Sequence, residues 1–117
     1  MTLAHIIKKL NMKVLTAEKD FDAITPTAGY ASDMLSRVMA CAPRDGALWV
    51  TLQSHGNIVA VGAVLGLSAI VITEGEMPAQ ETIAKADEMG LTLFATGRPT
   101  FEVVGRLWSM GLNCGER

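Results

Sequence analysis

From residue 27 onward the chain alternates, four times over, an extended apolar run with a helical stripe. The runs are residues 27–31, 47–52, 69–73 and 91–95. Two of them, Ala47-Leu48-Trp49-Val50-Thr51-Leu52 and Ala69-Ile70-Val71-Ile72-Thr73, are apolar at nearly every position, so both of their faces need cover. Strands separated by helices must cross over to lie parallel, and such crossovers are right-handed. The pattern therefore predicts an α/β fold. It is a single domain over residues 1–117, with a mainly parallel sheet of about four to five strands and helices on its faces.

The stripes place the helices. Leu3, Ile6, Ile7 and Leu10 make one face of a first helix capped by Thr2, and residues 13–15 come next as a short strand or extended connection. Residues 17–26 read as a polar loop closed by Pro26. A helix capped by Ser32 or Asp33 turns Leu35, Val38, Met39 and Ala42 inward, and Pro43-Arg44-Asp45-Gly46 is a turn. Residues 57–65 form a helix that is apolar almost all round, and Ala60, Gly62, Ala63 and Gly66 keep it thin. Such a helix must be covered on every side, and a second copy of the chain is one available cover. The next helix puts Ile83, Ala86 and Met89 inside, with a Glu81–Lys85 pair outside and Gly90 at its end. The last opens at Pro99 or Thr100, faces Phe101, Val104, Leu107 and Trp108 inward, pairs Glu102 with Arg106 outside, and ends at Gly111.

Composition narrows the function classes. Ten cations stand against twelve anions for a net charge of −2, and the densest basic cluster is Lys8, Lys9 and Lys13. Nucleic-acid binding needs many cations on one face, so it is disfavoured. Half the residues are hydrophobic, which argues against disorder. The longest apolar stretch, residues 58–72, would span roughly 22 Å as a helix, short of a bilayer core, and the N-terminus does not read as a signal peptide. The two cysteines, Cys41 and Cys114, have no CxxC or metal-ligand spacing and read as free thiols in a reducing, cytoplasmic compartment, with Cys41 in the core.

Parallel strands end on one edge, where the helix N-termini point their free amides and ligands bind. The loops expected there hold Ser32-Asp33, then Gln53-Ser54-His55-Gly56-Asn57, then Thr73-Glu74-Gly75-Glu76, then Thr96-Gly97-Arg98-Pro99-Thr100. The candidate ligand-binding residues are Asp33, Gln53, Ser54, His55, Asn57, Thr73, Thr96, Arg98 and Thr100. His55 offers a hydrogen-bonding group, a general base or a metal ligand, or merely bonds nearby backbone. The loop at residues 96–100 offers hydroxyls, a guanidinium and a helix N-terminus to a phosphate or carboxylate, or is an ordinary turn. Asp33, Glu74 and Glu76 make the edge mixed in charge. No phosphate loop, GxGxxG, GxSxG or HExxH occurs, and only two histidines exist, so no metal or other cofactor is expected.

Several segments resemble the DRTGG domain family. They are residues 27–36 (Thr27-Ala28-Gly29-Tyr30 onward), residues 48–61 around Gln53-Ser54-His55-Gly56-Asn57, residues 68–75, and residues 100–107. The namesake motif matches in part: Asp22 is present, Ala23 stands where the family has arginine, and Thr27-Ala28-Gly29 stands for Thr-Gly-Gly. The resemblance implies a βα-rich fold and a homodimer. It also implies a regulatory role of the kind this domain has beside CBS domains in pyrophosphatases, or in front of phosphotransacetylases, and kinship with the N-terminal domain of HPr kinase.

Three functions stand as expectations. The first is a non-catalytic sensing domain that binds an adenine nucleotide or phosphorylated metabolite at the strand ends. The second is an interaction or dimerisation module with no small ligand. The third is an enzyme using His55 as base, with Asp33 or Ser54 beside it.

Overall fold

The computed structural model describes residues 1–115. The elements run α1 (Leu3–Leu10), β1 (Lys13–Val14), a 3-10 turn (Phe21–Ala23), β2 (Gly29–Ala31), α2 (Leu35–Cys41), β3 (Leu48–Thr51), α3 (Asn57–Leu65), β4 (Ala69–Ile72), α4 (Gln80–Glu88), β5 (Leu93–Ala95) and α5 (Thr100–Ser109). One five-stranded sheet has the order β1-β5-β4-β3-β2. Strands β2 to β5 are parallel, and β1 pairs antiparallel with β5, Lys13 opposite Ala95.

That order decides where the helices go. Each of β3, β4 and β5 is added on the same side of its predecessor. Right-handed crossovers that all step in one direction put their helices on one face. Helices α2, α3 and α4 accordingly share a core with Trp49, Ile70, Ile72 and Leu93, to which they bring Val38, Ile58, Val59, Leu65 and Ala86. Helices α1 and α5 lie outside the crossovers and cover the other face. There Leu3, Ile6, Leu10, Val103 and Leu107 pack on Leu48, Val50, Ala69, Val71 and Phe94. Residues in β3, β4 and β5 alternate between the two cores, as the two-residue strand period requires.

Several local expectations change. Helix α5 buries Val103 and Leu107, while Phe101, Val104 and Trp108 are exposed by 92%, 37% and 60%. The inward stripe differs from the expected one because two phases of the helix are apolar, and the sheet faces only one. Met39 and Met89 are also exposed, on helices that reach the core through Val38 and Ala86. Neither Ser32 nor Asp33 caps α2: Met34 holds the N-cap position with no side-chain cap bond, Ser32 Oγ accepts the Met34 N–H one step earlier, and the Asp33 carboxylate is used elsewhere. Lys85 pairs with Glu88 at 3.8 Å rather than with Glu81. The loop at residues 17–26 contains a 3-10 turn that sends Phe21 edge-on to Phe94, ring centroids 5.7 Å apart. Cys41 is half-buried at the end of α2 and not in the core.

The thin helix α3 is covered from within the chain on three sides, while Ala60 and Val64 face solvent. It packs on α2, α4 and the sheet, and its largest exposed apolar residue is Val64. Gly62 makes this possible: a Cβ there would lie 2.8 Å from Leu91 Cδ2 and 3.0 Å from Ile70 Cδ1. Among the described residues no helix is long and apolar enough to cross a membrane. Gly62→Val should push α3 off β4 and lower unfolding free energy by about 1–3 kcal/mol, read as a fall in the urea midpoint.

Candidate functional site at the strand ends

Because β2 to β5 are parallel, the four loops that leave their ends do so at one edge of the sheet. Hydrogen bonds link each loop to the next. Asp33 Oδ1 accepts the Thr51 hydroxyl at 2.8 Å and the Leu52 N–H at 2.9 Å. The Gln53 side-chain amide donates to the Asp33 carbonyl at 3.0 Å, and the Gln53 N–H donates to Thr51 Oγ1 at 3.1 Å. Thr73 donates its hydroxyl to the Thr51 carbonyl at 3.3 Å, so the Thr100 hydroxyl, 2.6 Å away, donates to Thr73. The Glu74 carboxylate accepts the Thr100 N–H at 2.7 Å and so caps α5. Glu74 and Gly75 both have positive φ, 63° and 75°, and donate their N–H groups to the carbonyls of Arg98 and Thr96.

The sequence-derived residues divide into three groups. Asp33, Gln53, Thr73 and Thr100 belong to this connected row, with Thr96 buried beside it and accepting the Arg98 N–H at 3.2 Å. Ser54, His55 and Asn57 stand at the start of α3, where His55 Nδ1 accepts the Asn57 N–H at 3.2 Å and the imidazole is exposed. Arg98 turns toward α1: its Nε donates to the Leu10 carbonyl at 3.2 Å, and its guanidinium pairs with Glu102. Glu102 also takes Arg106 at 2.9 Å, so this cluster ties α1 to α5.

The chain direction singles out one gap along the edge. The loop after β4 leads to α4 on one face, and the loop after β5 leads to α5 on the other. Between two such diverging loops an α/β sheet opens its ligand crevice. A hollow of about 230 Å³ lies there, walled by Gly75, Glu76 and Met77 on one side and by Ala95, Thr96 and Gly97 on the other. Asn11 and Lys13 close its end, because the antiparallel β1 begins where the parallel strands finish. Glu76 and Gly97 lie in the loops expected at this edge but outside the expected ligand-binding residues, and Asn11 and Lys13 lie in neither. Only the strand order and the reversed direction of β1 bring in Asn11 and Lys13, and neither leaves a local mark in the sequence. Among the described residues no group of three or more His, Cys, Asp or Glu side chains gathers in a way that could hold a metal ion.

Asp33→Ala strips the buried Thr51 hydroxyl and the Leu52 N–H of their acceptor and should cost about 1–3 kcal/mol in chemical denaturation. Asp33→Asn keeps an oxygen in place and should stay close to the native value. At α5, the hydrogen bond from Arg98 lowers the Glu102 carboxyl from its ordinary range, aided by the charges of Arg98 and Arg106 and opposed by a desolvation cost. A lowered carboxylate contributes stability above its unfolded pKa and loses it as pH falls through the folded one. Glu102 should accordingly titrate at higher pH in Arg98→Ala than in the native chain, observed by NMR of the glutamate carboxyl carbons.

The chain is similar in structure to the CBS and DRTGG domains of the regulatory region of Clostridium perfringens pyrophosphatase, solved in complex with the activator diadenosine tetraphosphate. The TM-score is 0.74 at 19% identity, over 97% of this chain and 48% of that one. At that identity the likeness shows a shared fold, and this chain spans about half the length of the solved one. No family model matches the chain, and no curated protein matches it.

Proposed function

We propose that this chain is a DRTGG-like regulatory domain. It acts as a homodimer and senses an adenine nucleotide or phosphorylated metabolite at the strand-end edge. The observation that carries the reading is the hollow between the diverging loops after β4 and β5, where chain topology and an open cavity coincide. The fold shared with a regulatory region that was solved with a dinucleotide activator supports the same reading.

The size and charge of the hollow set what it takes. At about 230 Å³ it is smaller than the roughly 300–1,000 Å³ of a pocket that encloses a drug-sized molecule. It accommodates one moiety of a nucleotide, with the remainder lying along the edge toward Thr73 and Thr100. Lys13 supplies a cation to a phosphate, and Glu76 and Asn11 suit ribose hydroxyls or a base edge. The connected hydroxyls of Thr51, Thr73 and Thr100 act chiefly as a rigid base beneath the loops, since each already bonds within the chain.

Catalysis by His55 has less support. Its Nδ1 is engaged by the backbone of its own loop, and Asp33 is occupied by Thr51 and Leu52. The alternative of an interaction module is favoured by a separate observation, the exposed apolar surface of α5.

Thermal denaturation with AMP, ATP, diadenosine tetraphosphate and a panel of phosphorylated metabolites tests the sensing role. A true ligand at about 100 times its Kd should add ~2.7 kcal/mol of stability. Gly97→Val, at a position where a Cβ meets nothing within 4 Å, should fill the hollow and abolish the gain without harming the fold. A panel that shifts nothing, or a shift that survives Gly97→Val and Lys13→Ala alike, would remove this site from consideration.

A further inference from the structure

Helix α5 carries its apolar residues on two sides, and the sheet uses one of them. Val103 and Leu107 are buried. Phe101, Val104 and Trp108 recur at i, i+3 and i+7 and form a second stripe that faces away from the core. Phe101 is nearly as exposed as it would be in an unfolded chain. Gly105 falls in the same stripe, and the space above it is open, with nothing within 4 Å of where a Cβ would sit.

This stripe is a ridge between two hollows. On one side a cavity of about 260 Å³ opens between α5, β2 and the segment after α5; Tyr30, Val50, Val104 and Trp108 are among its walls. On the other side a groove of about 600 Å³ separates α5 from α1, with Lys9, Phe101, Gly105 and Arg106 along it. The first hollow exists because two helices cover this face of a five-stranded sheet, and β2 is left partly bare.

We propose that α5 is the contact through which two copies of this chain associate, α5 lying antiparallel against α5 about a two-fold axis that passes between Val104 and Gly105. A closed dimer needs a surface that complements itself under such an axis, and this one does. Antiparallel superposition about that point sets Val104 of one copy over the Gly105 notch of the other. It sets Phe101 of each copy against Trp108 of the other, two aromatic pairs at the ends of the contact. Arg106 and Glu102 of each copy both stand on the α1 side of α5, so Arg106 of one copy falls near Glu102 of the other and two opposite-charge pairs lie along that one side of the seam. The ridge of each copy has a hollow on either side to receive the other's flanking side chains.

This inference gives the homodimer of the proposed function its surface, and the two can fail separately. Sedimentation equilibrium of the full chain should give a dimer. Phe101→Asp and Trp108→Asp should each give a monomer whose circular dichroism is unchanged, because both side chains already stand in solvent. Gly105→Leu, which fills the notch, should weaken the dimer as well. In a Cys41→Ser, Cys114→Ser background, Gly105→Cys should cross-link under mild oxidation, while Ala60→Cys on α3 should not. A native chain that stays monomeric at several hundred micromolar would overturn the proposal, and so would a dimer that survives both aspartate variants. A native chain that stays monomeric yet keeps the nucleotide shift would sink the α5 contact alone and leave the sensing role standing.

Discussion

The parallel pairing of β2 with β3, β3 with β4, and β4 with β5, each strand laid beside its predecessor, determines the rest of the architecture. It commits α2, α3 and α4 to one face through the handedness of their crossovers. It leaves the opposite face to α1 and α5, which come from the two ends of the described chain. It also collects four loops at one edge. The hydroxyl row through Thr51, Thr73 and Thr100 is possible because three strand-end segments finish level with one another. Where the helices change face, between β4 and β5, the edge parts into a hollow.

Much of this is legible in the residues. The continuous apolar runs around Trp49 and Val71 suit only strands covered on both sides, and the stripe through Leu3, Ile6 and Leu10 suits only a helix. The gathering of four polar loops comes from the same alternation. Less legible is the state of individual side chains. Asp33 has the sequence position of a helix cap because it precedes a helical stripe, yet its carboxylate reaches two groups at the end of β3, eighteen and nineteen positions along the chain. Arg98 has the position of a ligand contact because it lies in a polar loop, yet the carbonyl at the end of α1 and Glu102 hold it. The Arg98–Glu102 pair has a helical i,i+4 spacing, but partners as distant as Leu10 from Arg98, or Thr51 and Leu52 from Asp33, cannot be read from spacing.

The two faces of the sheet differ in how completely they are sealed. The three-helix side is closed by its own chain, and Gly62 lets α3 sit tightly against Ile70 and Leu91. The two-helix side is closed at β1, β5 and β4 and open toward β2. An apolar helix such as α3 is conspicuous in a sequence, whereas α5 has the pattern of an ordinary amphipathic element. The distinction that matters is whether the rest of the chain supplies enough surface to cover each, and that depends on the number of helices per face. The edge that gathers polar loops and the ridge that gathers exposed apolar side chains meet at the start of α5, where Thr100 is followed by Phe101.

Strand β1 ties the two ends of the chain together and so bears on the route by which it folds. Residues 13–15 join the sheet by pairing with residues 93–95, and Ala17 and Lys19 bond to Asp87 and Gly90. Closing a loop of about 80 residues carries an entropic penalty of roughly 4 kcal/mol beyond the constant for any closure. The β2–β5 unit can assemble from short crossovers, but its second core stays open until α1 returns to meet α5. Chains dominated by such distant pairings reach the native state slowly. During that interval Leu48, Val50 and Phe94 would lie bare to solvent, so the opening segment acts as a late seal over a hydrophobic surface already formed.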